Sequence, residues 1–264
     1  MKTPIISAVF AAILLTSCNI KSDGAAFFFN QKEGKLPVAD REYKMDFDAI
    51  KVSQGIDAEV VKSNEERVVI SAPADILDDV LVEKNGDGIH IKFRPKLNIS
   101  SNNVTAKIYA KDFHSITADS SAEIKIRDKF VQEKMTVNVG SSGTVEGNLE
   151  ANEMSISASS SGDFKGRIWA INLNAQASSS GDMDITGKAT NAKMQASSSG
   201  SIDAKELVVQ VAELHASSSG DVDVSVTDKL SASASSSGSI KVYRKGALNI
   251  ISKTESSSGT VSVD

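Results

Sequence analysis

Hydrophobic and polar residues alternate along the second half of the chain, on both sides of a recurring Ser-Ser-Ser-Gly corner. Two residues after each corner glycine stands a large apolar residue, and polar residues such as Asp182 and Asp184 flank it. Small or apolar residues, such as Ala175 and Ala177, alternate with polar ones before the corner. A period of two is typical of a strand with one buried face. The apolar set that follows the corners is Val145, Phe164, Met183, Ile202, Val222, Ile240 and Val261.

The corners recur at a nearly constant interval. Successive corner glycines lie 19, 19, 19, 20, 18 and 21 residues apart, and Ser120-Ser121-Ala122 is a degenerate earlier copy. Such a period is typical of solenoids, in which each turn of chain stacks on the one before. We predict an all-β chain folded as a parallel β-helix (β-solenoid), with turns of about 19 residues that each contain two or three short strands. The predicted structural corners are Gly143, Gly162, Gly181, Gly200, Gly220, Gly238 and Gly259.

The same alternation makes predictions about the corners themselves. Extended into the serine triplet, it places the middle serine inside the coil and leaves the two outer ones, such as Ser159 and Ser161, in exposed columns. We expect the corner glycine to adopt backbone angles that a Cβ would oppose. The serines predicted to point inward are Ser160, Ser179, Ser198, Ser218 and Ser236.

The first half of the chain carries the pattern less clearly. Residues 47–60 and 113–126 superimpose apolar on apolar with an offset of 66 residues and no gap. Further alternating runs lie between them and predict wider, less regular turns. We therefore divide the fold into an irregular N-terminal solenoid half, residues 44–117, and a regular repeat, residues 118–264.

The N-terminal residues predict export and lipid attachment. A charged start and a short apolar stretch are typical of a signal peptide, which we assign to residues 1–17. The stretch ends in Leu15-Thr16-Ser17-Cys18, which resembles the bacterial lipobox. We predict that Cys18, the one cysteine of the chain, is acylated (palmitate) and followed by a tether to residue 43. The alternative is an ordinary secretory peptide with an incidental cysteine.

Composition excludes some functions. The formal net charge is −5 and aromatic residues make up 5% of the chain, so a basic or aromatic nucleic-acid-binding surface is not expected. His90, His114 and His215 fall in separate turns without a surrounding catalytic motif. We therefore predict a protein that is not an enzyme.

One set of acidic residues is a candidate site. The alternation places the residues one and three positions after successive corner glycines on the exposed face. Several carboxylates on one face could hold Ca²⁺ with water completing its shell. The alternative is a solvated charged face that prevents edge-to-edge association. The residues are Asp182, Asp184, Asp203, Asp221 and Asp223.

The lipobox, the opening from Phe47 to Ile56 and the recurring corner resemble the head-GIN-domain family of bacterial lipoproteins, described as auto-transporter adhesins. The resemblance covers residues 44–264. It implies a right-handed parallel β-helix at the cell envelope and transfers no active site.

These observations predict a cell-envelope lipoprotein, with the outer membrane favoured by Asn19 after the lipid-bearing cysteine. We expect a non-enzymatic, adhesin-like binding or structural module that contacts the membrane through its lipid and binds a glycan or an envelope or surface protein. A homodimer through the C-terminal strand edge is a further possibility. The alternatives are a carbohydrate-active enzyme, with Trp169 and Tyr243 as a sugar platform, and a structural spacer without a ligand.

Overall fold

The computed structural model describes residues 30–99 and 103–264. Within these ranges the secondary structure consists of β-strands and one 3₁₀ turn, Leu77–Asp79. The first ten strands are β1 (Asn30–Lys32), β2 (Val38–Lys44), β3 (Ala49–Ser53), β4 (Asp57–Lys62), β5 (Arg67–Pro73), β6 (Val80–Asn85), β7 (Gly88–Phe93), β8 (Leu97–Ile99), β9 (Thr105–Ala110) and β10 (Ser115–Asp119). The others are β11 (Glu123–Val139), β12 (Thr144–Ser159), β13 (Asp163–Ser178), β14 (Asp182–Ala196), β15 (Ser201–Ala216), β16 (Asp221–Ala234), β17 (Ser239–Arg244), β18 (Asn249–Glu255) and β19 (Thr260–Val263).

The regular half is a parallel β-solenoid, as predicted. Strands β11 to β17 pair in chain order and in parallel, and Phe164 lies between Val145 and Met183 of the neighbouring coils. The strands are longer than predicted, since β12 and β13 each continue for 16 residues through a bend. Hydrogen bonding to both neighbouring coils continues around the bend, so that two expected short strands become one.

The interior consists of columns of like side chains. The apolar column that follows the corners is at most 4% exposed at every position from Val145 to Val261. An alanine column, which includes Ala158, Ala177 and Ala196, runs beside the corners. Burial of one Val, Ile or Phe side chain contributes about 1.5–3 kcal/mol. Each added coil therefore extends one continuous core.

Each corner is a tight β-turn whose two central residues are serines. Ser160 and Ser161 have φ angles of 51° and 60°, and the Gly162 N–H donates to the Ser159 carbonyl over 2.9 Å. Two successive left-handed residues interrupt the alternation of a strand. The predicted inward serine column is therefore wrong, because the second and third serines of the triplet are exposed and the glycine is buried. The mispredicted inward residues are Ser160, Ser179, Ser198, Ser218 and Ser236.

Hydrogen bonds also join each corner to the next. The Ser161 N–H donates to the Ser179 carbonyl of the following coil over 3.2 Å, and the Ser180 N–H donates to Ser198 over 3.1 Å. A left-handed non-glycine residue costs on the order of 1–3 kcal/mol. These bonds satisfy backbone groups that would otherwise remain unpaired at the turn.

The corner glycine is required for a reason other than the predicted one. Its φ lies outside the left-handed region, which the serines occupy instead. A Cβ built on Gly181 would lie 2.4 Å from the Ala158 carbonyl oxygen in the preceding coil. Glycine therefore allows the backbones of two coils to approach closely.

The N-terminal half follows the predicted offset of 66 residues. Strand β3 pairs in parallel with β10, with Ile50 opposite Ile116, and β4 pairs in parallel with the start of β11. Strands β7 and β9 pair in parallel with β3 and β4 on their other side. The coil that comes first in the sequence thus lies inside the stack.

The N-terminal half also contains antiparallel strand pairs, whereas the sequence predicts further solenoid turns there. Strand β5 pairs antiparallel with β2 and β9, and β6 pairs antiparallel with β7. The β6–β7 hairpin turns at Gly86 and Asp87, with Gly86 at a φ of 64°. A two-residue turn with a left-handed glycine favours an antiparallel hairpin over a further coil.

A polar contact between His90 and Ser53 joins two coils at this end. The Nε2 atom of His90 in β7 is 2.8 Å from the Oγ of buried Ser53 in β3. Burial lowers the pKa of His90, and the positive charges of Lys51 and Lys92 lower it further. The folded protein therefore favours a neutral imidazole at this position.

Gly181→Ala is expected to destabilise the solenoid, because its Cβ would overlap the backbone at Ala158. Overpacking of this kind costs about 1–3 kcal/mol or more, measured as a lower midpoint of urea unfolding. Gly140→Ala is the matched control, since its Cβ would meet only Ser159 atoms at 3.6 and 3.8 Å. Equal effects of the two changes would contradict the close-approach explanation.

Stability is expected to fall as the pH decreases from 7.5 to 5. The pKa of His90 is below its ordinary value in the folded state, so the unfolded chain binds the proton first as the pH falls. Below pH ~6.5 this proton binding stabilises the unfolded state relative to the folded state. His90→Gln should remove this part of the pH dependence, measured by urea unfolding at both pH values. An unchanged pH dependence in the variant would show that His90 is not its source.

Candidate functional site

An open groove of about 860 Å³ crosses one face of the regular coils. Its lining comes from five consecutive strands, from Lys129 in β11 to Val208 in β15. A smaller groove of about 290 Å³ adjoins it and shares Asn148, Arg167 and Thr186 with it. We call the two together the Trp169 groove.

Departures from the regular repeat shape the floor of this groove. Leu149, Ile168, Gly187 and Leu207 occupy equivalent positions in successive strands, so glycine replaces one aliphatic side chain of the column. Gly187 has a φ of 114°, and a Cβ there would lie 2.0 Å from the Ile168 carbonyl oxygen. The register of β14 against β15 shifts just before Gly187. A shift of this kind redirects the neighbouring side chains.

Trp169 is the one tryptophan of the chain, and it stands on this face with 43% of its surface exposed. In the hydrogen-bonded register it lies between Glu150 of β12 and Lys188 of β14. Arg167 precedes it by two residues on the same strand and therefore shares its face. An aromatic ring is thus presented beside charged groups of both signs.

The charge of the groove differs from that of the whole chain. Six basic and four acidic side chains line the two parts, whereas the chain has a formal net charge of −5. Among the lining side chains themselves, positive groups exceed negative ones by two, and charges of both signs favour a polar or charged ligand over an apolar one. The basic residues are Lys125, Arg127, Lys129, Lys165, Arg167 and Lys188. The acidic residues are Glu146, Glu150, Asp184 and Glu206.

Four of the six cations are already neutralised by ion pairs. Lys129 pairs with Glu150, and Lys165 lies 3.6 Å from Asp184. Lys125 pairs with Glu123 over 2.5 Å.

The fourth pair joins Arg127 to Glu59 over 2.5 Å. The hydrogen bond from Arg127 holds the pKa of Glu59 below its ordinary value. Among the described residues, Arg167 and Lys188 make no ion pair and no side-chain hydrogen bond. Arg167, beside Trp169 on the same strand, and Lys188, opposite it on the next strand, are therefore unpaired.

The predicted acidic face lies next to the corners, and one of its residues, Asp184, also lines the smaller part of the groove. The register places Asp182, Ser201 and Asp221 in one column, and Asp184, Asp203 and Asp223 in the next. Burial raises the pKa of Asp223, and the Asp203 carboxylate adds to this effect. The Asp203 and Asp223 carboxylates are therefore close enough for their charges to repel each other.

Lysine side chains lie among the acids of this face and offset part of its negative charge. Lys205 lies 2.8 Å from Asp203, and Lys241 contacts Asp264 over 3.2 Å. Across residues 30–99 and 103–264, no group of three or more His, Cys, Asp or Glu side chains is arranged to hold a metal ion. A Ca²⁺ site on this face stays a prediction.

The histidines contact three different partners in the structure. His90 contacts Ser53, His114 lies 3.1 Å from Asp87, and His215 lies 3.0 Å from Glu213. Only the first pair combines a serine with a histidine, and that serine is 5% exposed. The sequence did not reveal this pair because its members lie 37 residues apart.

Some predictions fall outside the described residues or on other surfaces. The signal peptide, Cys18 and most of the tether lie outside the described ranges. Tyr243 lies on β17, where the Lys241 ammonium is 5.1 Å from its ring centroid, and it does not line the Trp169 groove. In the part of the chain that the structure describes, no helix is long and apolar enough to cross a membrane.

Solved structures of other bacterial proteins share the fold. A protein of Parabacteroides merdae described as a "putative adhesin" is 18% identical, with a TM-score of 0.78 over 89% of this chain and 99% of its own. A protein of Parabacteroides distasonis described as a "putative lipid binding protein" is 22% identical, with a TM-score of 0.71 over 89% and 99% of the two chains.

A third solved structure, a "putative adhesin" of Bacteroides fragilis, is 15% identical, with a TM-score of 0.64 over 88% of this chain and 98% of its own. At these identities the likeness concerns the fold. No protein of curated function is detectably similar to this chain. A family model, however, matches residues 46–246, which is most of the solenoid. The chain therefore belongs to the family described as "Putative auto-transporter adhesin, head GIN domain".

Proposed function

We propose that this protein is a lipid-anchored, adhesin-like binding module of the cell envelope, and that it binds an extended surface ligand without chemically changing it. The observation that carries the proposal is the Trp169 groove, where an exposed ring and two unpaired cations face solvent. Exposed aromatic and charged groups on a rigid scaffold are typical of recognition surfaces.

The dimensions of the groove favour a ligand made of repeated units. Neighbouring strands lie about 4.8 Å apart, so five strands extend over roughly 19 Å. Each coil contributes its own side chains to this length, because equivalent positions lie one above the other. A glycan or an extended segment of a surface protein could contact several coils at once.

The envelope location is proposed from the sequence. A signal peptide and a lipobox at Cys18 would attach the mature chain to a membrane through acyl groups. Asn19 favours the outer membrane. The residues up to the first coil would then serve as a tether that holds the solenoid away from the lipid.

Glycoside hydrolysis is less well supported than binding. That reaction requires two carboxyl groups on opposite sides of the scissile bond, one of which has a raised pKa in an apolar pocket. Within the groove, Glu150 is ion-paired with Lys129 and Asp184 lies beside Lys165. Both carboxyl groups therefore lie beside cations in an open groove, and not in the apolar pocket that a general acid requires.

Cys18→Ala should abolish lipid attachment, because the chain has no other cysteine. The change is expected to remove labelling by an alkyne analogue of palmitate and to leave residues 1–17 attached. Intact-mass spectrometry and labelling of the expressed protein measure both results. Labelling that persists in the variant would show that the anchor is elsewhere.

Binding is tested with the mature lipidated chain in detergent micelles on a glycan array and on fixed bacterial and epithelial cells. We expect saturable binding that Trp169→Ala weakens by about tenfold through loss of ring stacking. Ile171→Ala is the matched control, since Ile171 is 38% exposed on the same strand and does not line the groove. Release of new reducing ends from the bound glycan would favour the enzyme, and absence of binding to every surface would favour the spacer.

A further inference from the structure

We infer that the Trp169 groove recognises an acidic sugar residue, whose ring stacks on Trp169 and whose carboxylate lies between Arg167 and Lys188. The inference rests on the proposed function and names the class of ligand. It concerns three side chains of β13 and β14, the neighbouring strands at the centre of the groove.

The position of Trp169 suits stacking. The residue is 43% exposed, whereas Phe130 and Phe164 of the regular coils are fully buried. Exposed aromatic rings present an apolar face together with one polar group, here the indole N–H. The apolar face of a sugar ring could cover this surface and remove it from water.

The two unpaired cations have defined positions around the ring. Residues two apart on one strand lie roughly 6.6 Å from each other, so Arg167 stands to one side of Trp169 along β13. Lys188 stands opposite Trp169 on β14, roughly 4.8 Å away across the sheet. Both side chains are long enough to reach a substituent on a ring that covers the indole.

Arg167 and Lys188 form no ion pair although acidic side chains line the same groove, so both cations are available to a ligand. Glu150 is committed to Lys129, and Glu206 lines the same groove without an ion pair to Arg167 or Lys188. An Arg guanidinium binds a carboxylate through two parallel hydrogen bonds, whereas Lys acts as a point charge. Together they complement one carboxylate.

The remaining lining favours a sugar over a membrane surface. Asn148 and Thr186 offer amide and hydroxyl groups, and Glu150 and Glu206 offer acceptors for sugar hydroxyls. A sugar with several hydroxyl groups and one carboxylate per residue would contact these polar groups and the two cations together.

The test measures binding by isothermal titration calorimetry, with the mature lipidated chain in neutral detergent micelles. The probes are uronate-containing oligosaccharides, each compared with its carboxyl-reduced neutral form. We expect the acidic form to bind at least about tenfold more tightly. This preference should shrink between 50 mM and 500 mM NaCl, because salt screens exposed charges.

Arg167→Gln and Lys188→Gln should each remove most of the preference for the acidic form, while the affinity for the neutral form stays nearly constant. Arg244→Gln and Lys229→Gln are matched controls. Both residues are exposed, lie outside the groove and form no ion pair with any described residue. Trp169→Ala should weaken binding of both forms alike.

The outcomes separate the inference from the proposed function. Equal affinities for acidic and neutral forms, or a preference that survives both cation changes, would overturn acid recognition and leave a glycan-binding module. Binding to vesicles of anionic phospholipid, with no glycan binding, would overturn both in favour of a lipid ligand. Failure to bind any glycan or cell surface would overturn both as well.

Discussion

Backbone hydrogen bonds between neighbouring coils hold equivalent residues of each repeat one above the other. At the corners these bonds link serine to serine, and the turn stays tight because glycine lets the next backbone come within van der Waals reach. Each corner contains two serines in the left-handed conformation, which costs free energy, and the hydrogen bonds between corners offset this cost along the stack. Once this register is fixed, apolar residues such as Val145 and Phe164 form a continuous core and polar residues form columns on the surface.

The candidate function arises where the register is interrupted. Among the strands that line the groove, the register of β14 against β15 shifts just before Gly187, and Gly187 replaces an aliphatic side chain of the column. Trp169 is exposed between charged neighbours, and Arg167 and Lys188 form no ion pair with any residue that the structure describes. The rigid stack supplies positioning at little entropic cost, since these side chains belong to long hydrogen-bonded strands.

The sequence predicted the parallel stack, the ladders and the 66-residue offset, because each depends on local alternation and spacing. It failed at the corners, where two left-handed residues such as Ser160 and Ser161 interrupt the alternation that was extended through them. It missed the antiparallel strands at the N-terminal end, although the turn at Gly86 was a local signal for the hairpin. It also missed the groove, because a groove depends on how register shifts in several coils combine.

The most direct test of the stacked register is a distance between equivalent positions of distant coils. Spin labels at Glu123 and Asp221, in a chain whose Cys18 is replaced by Ala, would report this distance by double electron–electron resonance. The two positions are linked by five successive pairings in the same column. Stacking predicts a narrow distribution near 24 Å, roughly five strand spacings. A broad distribution, or a distance far from this value, would contradict it.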